Sequence, residues 1–186
     1  LAVAGKLQSA TRFPEHRRIL ENLRTDWTRL LQGAAAPSFQ LPGLTGDTLS
    51  PEAFRGKYLY LYFTSSWCTF CRSEEKALAL MAPVFESELA VMGIAVDEDQ
   101  NEFLYHFRNA EPPWPLAYFE HNYRLLEAYR LRAVPTYILL DRTGRILRYP
   151  APAPSEGLDR LMRQVLAEDP AFNPPSKQPS IPGKKN

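Results

Sequence analysis

Hydrophobic positions along the chain change period as it proceeds. From Pro14 to Leu31, the residues Ile19, Leu20, Leu23, Trp27, Leu30 and Leu31 recur at three- and four-residue intervals with Arg and Glu between them, which predicts an amphipathic helix. Gly33 ends that pattern, and Ala34-Ala35-Ala36-Pro37 leads into another. Ser38-Phe39-Gln40-Leu41 alternates as an edge strand does, Pro42-Gly43 and Gly46-Asp47 signal turns, and Thr48-Leu49 is placed to pair back as a hairpin. Ser50-Pro51-Glu52 offers a cap, a proline at the first helical position and an acid in the first turn, so one helical turn is expected over Pro51 to Phe54.

Lys57 to Thr64 is short and almost continuously apolar or aromatic, as a strand covered on both faces would be. The next segment places Ala77, Leu78, Leu80, Met81, Val84 and Phe85 on one expected helical stripe, with a kink at Pro83. Strands are then expected over Leu89 to Val96, Leu116 to Phe119, Thr136 to Leu140 and Arg145 to Tyr149, and helices over Glu102 to Asn109, Asn122 to Tyr129 and Glu156 to Ala167. The turn Asp141-Arg142-Thr143-Gly144 makes the last two strands a hairpin. This alternation specifies an α/β fold: a mostly parallel sheet with helices on both faces, closed by an antiparallel pair.

Three regions follow. Residues 1–33 form a helical extension or linker, 34–169 the main domain, and 170–186 a proline-dense tail expected to be flexible. The length of 186 residues and the apolar share of 45% suit one domain with a sizeable core. The formal net charge of +1 gives no reason to invoke nucleic acid. No stretch approaches the roughly 20 apolar residues needed to cross a bilayer, so a soluble chain is expected. It opens on Leu1 rather than Met, which suggests a processed protein or a fragment; a preceding domain or membrane anchor would then lie outside this sequence.

Both cysteines fall in Trp67-Cys68-Thr69-Phe70-Cys71, where the apolar strand gives way to the helical pattern. A Cys-x-x-Cys pair can close a small disulfide ring, and the unpaired N–H groups of a helix start stabilise a thiolate at Cys68. The thiolate is the attacking species in disulfide exchange, so this placement points to redox chemistry. Competing readings are inert structural cysteines or half of a zinc site. Zinc normally takes four ligands, and His16, His106 and His121 lack the paired spacing of a zinc motif, so neither metal nor cofactor is expected.

Together with the cysteine motif, Val134-Pro135-Thr136 opening a later strand and Asp141-Arg142-Thr143-Gly144 after it resemble the thioredoxin fold. The strand and helix from Leu89 to Asn109, followed by Pro112-Pro113-Trp114-Pro115-Leu116, resemble the inserted element of the TlpA/ResA-like thiol-disulfide oxidoreductases, and Phe39 to Leu49 resembles their N-terminal hairpin. The resemblance covers about Ala34 to Ala167 and implies a central mixed sheet flanked by helices, with these two additions. It implies that Cys68 is the exposed nucleophile, Cys71 the buried resolving thiol and Pro135 a cis-proline whose neighbours Val134 and Thr136 meet substrate. Trp67 matches the aromatic that precedes the first cysteine, with a core tryptophan as the alternative. Glu74 matches a glutamate close to the active site in ResA-like proteins, where it could tune or relay protons, although an early-turn acid beside Glu75 also suits a solvated face.

Two departures bear on mechanism. Tyr62 stands six residues before Cys68, where thioredoxin carries a buried acid, and a phenol with a pKa near 10 is a poor base at neutral pH. Proton removal would then use water, Glu74 or no dedicated group. Thr69-Phe70 replaces the Gly-Pro of thioredoxin, and no basic residue lies inside the motif, which favours a reductant over an extreme oxidant.

The resemblance implies a thiol-disulfide oxidoreductase acting on protein disulfides or dithiols in the periplasm or cell envelope of a bacterium, contributing to cell redox homeostasis, with a separate redox partner to recycle the site. The alternative is a thioredoxin-like interaction module of a larger protein with little turnover. A thiol peroxidase is weaker, because Thr64 lies four residues before Cys68 without the expected upstream proline. Copper delivery is also weaker, since no further ligand stands near the motif.

Overall fold

A computed structural model of the chain describes residues 30–110 and 112–170. The expected N-terminal helix therefore lies outside the described residues except for Leu30 and Leu31, as does the tail beyond Pro170.

The described chain runs through β1 (Leu41–Pro42), β2 (Thr48–Leu49), a 3-10 turn at Pro51–Phe54, β3 (Tyr58–Thr64) and α1 (Thr69–Met81). A second 3-10 turn, Ala82–Phe85, leads to β4 (Leu89–Ala95), α2 (Gln100–Ala110), β5 (Leu116–Tyr118) and α3 (Tyr123–Ala128). The hairpin of β6 (Thr136–Leu140) and β7 (Ile146–Arg148), a third 3-10 turn at Pro154–Glu156 and α4 (Leu158–Glu168) complete it. β1 and β2 form the short antiparallel hairpin, and the main sheet has the order β5-β4-β3-β6-β7. β3 pairs parallel with β4 and β4 with β5, whereas β6 runs antiparallel to β3 and β7 to β6. This is the central mixed sheet of the thioredoxin fold.

Every residue of β3 is buried, and its two faces differ in chemistry. Leu59, Leu61 and Phe63 enter a core with Met92, Ile94, Phe103, Phe107 and Phe119, while Tyr58, Tyr60 and Tyr62 enter a second core with Leu78, Phe85, Leu158 and Met162. Period-two alternation puts the tyrosines on the α1 and α4 side. Their hydroxyls reach out of the core to partners: Tyr58 donates to Asp169 Oδ2 and Tyr60 to the Pro152 carbonyl, each at 2.8 Å. A buried tyrosine thus supplies apolar area without stranding a polar atom.

The N-terminal hairpin covers a sheet edge. Leu44 N–H donates to the Leu116 carbonyl at 2.8 Å, and Gly43 bridges Ala117, so the hairpin lies along β5 and shields its unpaired groups. At the opposite edge Gly33 N–H donates to the Ile146 carbonyl at 2.7 Å and Ala35 bridges Arg145, while Leu30 is buried in the core.

Several local expectations need correction. Ser38–Gln40 is not strand, and pairing begins only at Leu41, opposite Leu49. Ser50 flanks the Pro51–Phe54 turn but makes no side-chain cap hydrogen bond. The apolar stripe of α1 is narrower than expected: Leu78 and Phe85 are buried, but Leu80 is 83% exposed and Val84 62% exposed. The buried face is instead set by Cys71, Glu74 and Leu78, polar and apolar positions together. Pro83 does break the helix, which yields to the 3-10 turn after Met81.

Candidate redox site

Cys68 is the N-cap of α1, with extended backbone before the first helical residue, Thr69. The Cys71 N–H donates to Cys68 Sγ at 3.1 Å, so sulfur takes the place of the usual capping oxygen. A negative sulfur here would receive both that hydrogen bond and the positive end of the helix dipole. The two cysteines are joined in a disulfide with an S–S distance of 2.07 Å and Cα atoms 5.2 Å apart. Cys71 is 1% exposed and Cys68 7%, so Cys68 is not the exposed thiol expected from the resemblance: in the disulfide form both cysteines are covered, while Trp67 and Phe70 beside them stand 67% and 57% exposed.

The Val134–Pro135 bond is cis, and Cys68 Sγ lies 3.9 Å from the Val134 carbonyl oxygen. Thr136 opens β6 opposite Phe63, which brings this segment to the end of β3 beside the cysteines. The fold therefore unites Trp67, Cys68, Cys71, Val134, Pro135 and Thr136 in one place. A second cis bond, Tyr149–Pro150, lies after β7.

Glu74 is buried but turned toward another element. Its Oε1 accepts from Ser155 Oγ at 2.6 Å and its Oε2 from Ser155 N–H at 3.0 Å, tethering the Pro154–Glu156 turn to α1. Glu75 faces the sheet. Its Oε1 accepts from Thr64 Oγ1 at 2.8 Å, and the Tyr62 hydroxyl faces the same carboxylate. Burial pushes the Glu75 carboxyl above the usual glutamate range, while Thr64, Tyr62 and Arg72 pull it partly back. Tyr62 also accepts from Trp114 Nε1 at 2.8 Å, and burial holds its phenol well above the ordinary value.

Asp97, 1% exposed, supports the approach to the motif. Its Oδ1 accepts from the Ser66 N–H at 2.9 Å and from the Ser66 hydroxyl. Arg72 donates to the Ser66 carbonyl at 2.7 Å and to Thr69 Oγ1 at 3.0 Å, bracing the same loop. Sequence reasoning did not single out Asp97, and it read Glu75 with Glu74 as a solvated pair. The spacing of Glu75 four residues after Cys71 was the available signal. No group of three or more His, Cys, Asp or Glu side chains suited to a metal ion occurs among the described residues.

A cysteine pair capping the helix after the central strand of a mixed sheet, beside a cis-proline, defines a thioredoxin-fold redox protein. Residues 32–149 match the model of the AhpC/TSA family, and the chain belongs to that family. It is similar to the thiol-disulfide oxidoreductase ResA of Geobacillus kaustophilus, 25% identical over 129 residues, which spans 69% of this chain and 74% of the relative. Among solved structures it is similar to a thiol-disulfide oxidoreductase from Bacteroides fragilis, 27% identical with a TM-score of 0.61, covering 70% of this chain and 98% of that one. It is also similar to a Chlorobium tepidum protein described as a thiol:disulfide interchange protein DsbE, 26% identical with a TM-score of 0.64, covering 74% and 97%. With its own cysteine pair in place, the chain is a thiol-disulfide oxidoreductase.

Proposed function

We propose that this protein reduces protein disulfides outside the cytoplasm through a Cys68–Cys71 dithiol/disulfide cycle. The observation that carries the reading is the unequal setting of the bonded pair, Cys68 at the helix start against the Val134 carbonyl and Cys71 sealed one turn inside. In the reduced protein the Cys68 thiolate attacks one sulfur of a substrate disulfide, forming a mixed disulfide and expelling the other sulfur as a thiolate that takes a proton. Cys71, losing its proton, then attacks Cys68 Sγ, closes the Cys68–Cys71 bond and releases the second substrate sulfur. Two electrons pass from the dithiol to the substrate. A separate redox partner must return them for another cycle.

In this reading Trp67, with Phe70, offers an apolar surface to the substrate, and Val134, Pro135 and Thr136 offer backbone beside the reacting sulfurs. Glu74 supports the site by anchoring α1 to Ser155. Residues 34–169 act as the catalytic domain, 1–33 as a linker that would join a preceding domain or membrane anchor, and 170–186 as a tail. A bacterial periplasm or cell envelope is the expected compartment, supported by the likeness to proteins named ResA and DsbE.

Insulin reduction driven by dithiothreitol tests the reading. The wild-type protein should accelerate precipitation of the insulin B chain and Cys68→Ser should not. Equal rates for the two proteins would contradict it and leave a thioredoxin-like interaction module in its place.

A further inference from the structure

Cys71 must lose a proton before it can attack the mixed disulfide, and the helix offers two carboxylates one turn further on. Glu74 and Glu75 lie three and four residues after Cys71, both within reach of its face of the helix. Both oxygens of Glu74 accept hydrogen bonds from Ser155, on the side of α1 that meets the Pro154–Glu156 turn. Glu75 instead engages Thr64, the last residue of the strand that leads into the cysteine motif. Thr64 is fully buried and Tyr62, two residues earlier on the same strand face, is nearly so. Trp114 holds the Tyr62 hydroxyl at 2.8 Å from outside the strand.

We propose that Glu75 is the proton acceptor for Cys71 in the resolving step. The inference rests on the dithiol cycle proposed above. The Cys71 thiol gives its proton to the Glu75 carboxylate, and Cys71 Sγ attacks Cys68 Sγ. The S–S bond between Cys68 and the substrate breaks, and the departing substrate thiolate takes a proton from Glu75 or solvent. Nothing is consumed beyond the substrate disulfide and the protein dithiol.

The surroundings fit an acceptor. Tyr62 faces Glu75 from β3, Arg72 on α1 supplies the neighbouring positive charge, and burial, helped by the Glu74 and Glu75 carboxylates, holds the Tyr137 phenol on β6 protonated. The buried Tyr137 hydroxyl has no hydrogen-bond partner among the described residues. Burial moves the Glu75 carboxyl upward, toward the thiol range, which is the direction that improves a base working near neutral pH. Burial keeps both phenols protonated, so neither competes for the proton. The position left without an acid by Tyr62 is thereby served from the helix, with Tyr62 orienting the replacement.

Carboxyl-13C NMR of the glutamates across pH tests the assignment. In the reduced protein Glu75 should show a second inflection at the titration of Cys71, and that inflection should vanish in the disulfide form and in Cys71→Ala. Glu75→Gln should slow single-turnover oxidation of the reduced protein by a disulfide peptide about 100-fold at pH 7, with the deficit shrinking as pH rises. A Glu75 titration indifferent to Cys71, a shared inflection at Glu74 instead, or a Glu75→Gln pH profile that superimposes on wild type would each overturn the proposal. If the wild-type protein oxidises with no disulfide peptide, the proposed cycle fails, while the NMR titration still decides whether Glu75 and Cys71 exchange a proton.

Discussion

The Thr64 hydroxyl donates a 2.8 Å hydrogen bond to Glu75 Oε1, tying the end of the central strand to the second turn of the helix that carries both cysteines. A helix resting on a sheet by apolar contacts alone can slide, whereas a directional bond fixes its register. Removing the donor leaves a partly buried carboxylate short of a partner, so Thr64→Val should cost about 1–3 kcal/mol, read as a lower urea midpoint.

Glu75 also gives stability a pH dependence. Its folded value lies above the ordinary 4.5, so between that value and the folded one the native state binds more protons than the unfolded chain. Stability from this group is fully present below pH 4.5 and declines as pH rises through the folded value. Urea denaturation of wild type and Glu75→Gln across pH should show that decline in wild type and its loss in the variant.

Gly93 makes room for the phenol that faces Glu75. A Cβ there would stand 2.4 Å from Leu116 Cδ1, 2.8 Å from Tyr62 Cζ and 2.9 Å from the Tyr62 hydroxyl. Gly93→Ala should therefore destabilise by about 1–3 kcal/mol and break the Tyr62–Trp114 hydrogen bond, with a change in the fluorescence of Trp114 as the readout.

Much of this was legible in the sequence. The uninterrupted apolar run of β3, the Cys-x-x-Cys at its exit and Val134-Pro135 before β6 are local signals, and each fixes an element or a site residue where it was expected. The polar framework was harder to read because its partners are distant in sequence. Asp97 meets Ser66 only because β3 and β4 lie side by side, and Glu74 meets Ser155 across 81 positions. Leu80 and Val84 misled for the opposite reason: periodicity marks a stripe but does not say how much of it the sheet covers.

Asp97→Ala should separate folding from function. The Ser66 N–H and hydroxyl would lose their acceptor, at a cost of about 1–3 kcal/mol, and the loop entering the cysteine motif would loosen. The protein should still fold, with Cys68 reacting more slowly toward a disulfide peptide in stopped-flow measurements.

Trp67 offers the reverse case. Because its ring is 67% exposed, Trp67→Ala should change stability by no more than about 0.5 kcal/mol. Its effect should instead appear as a higher KM for protein disulfides in the insulin assay.

The equilibrium redox potential of the Cys68–Cys71 pair against glutathione tests the central claim most directly. A reductant built on this site should fall near the potential of thioredoxin, about −270 mV. A value near about −120 mV would make the protein a strong oxidant and contradict the account.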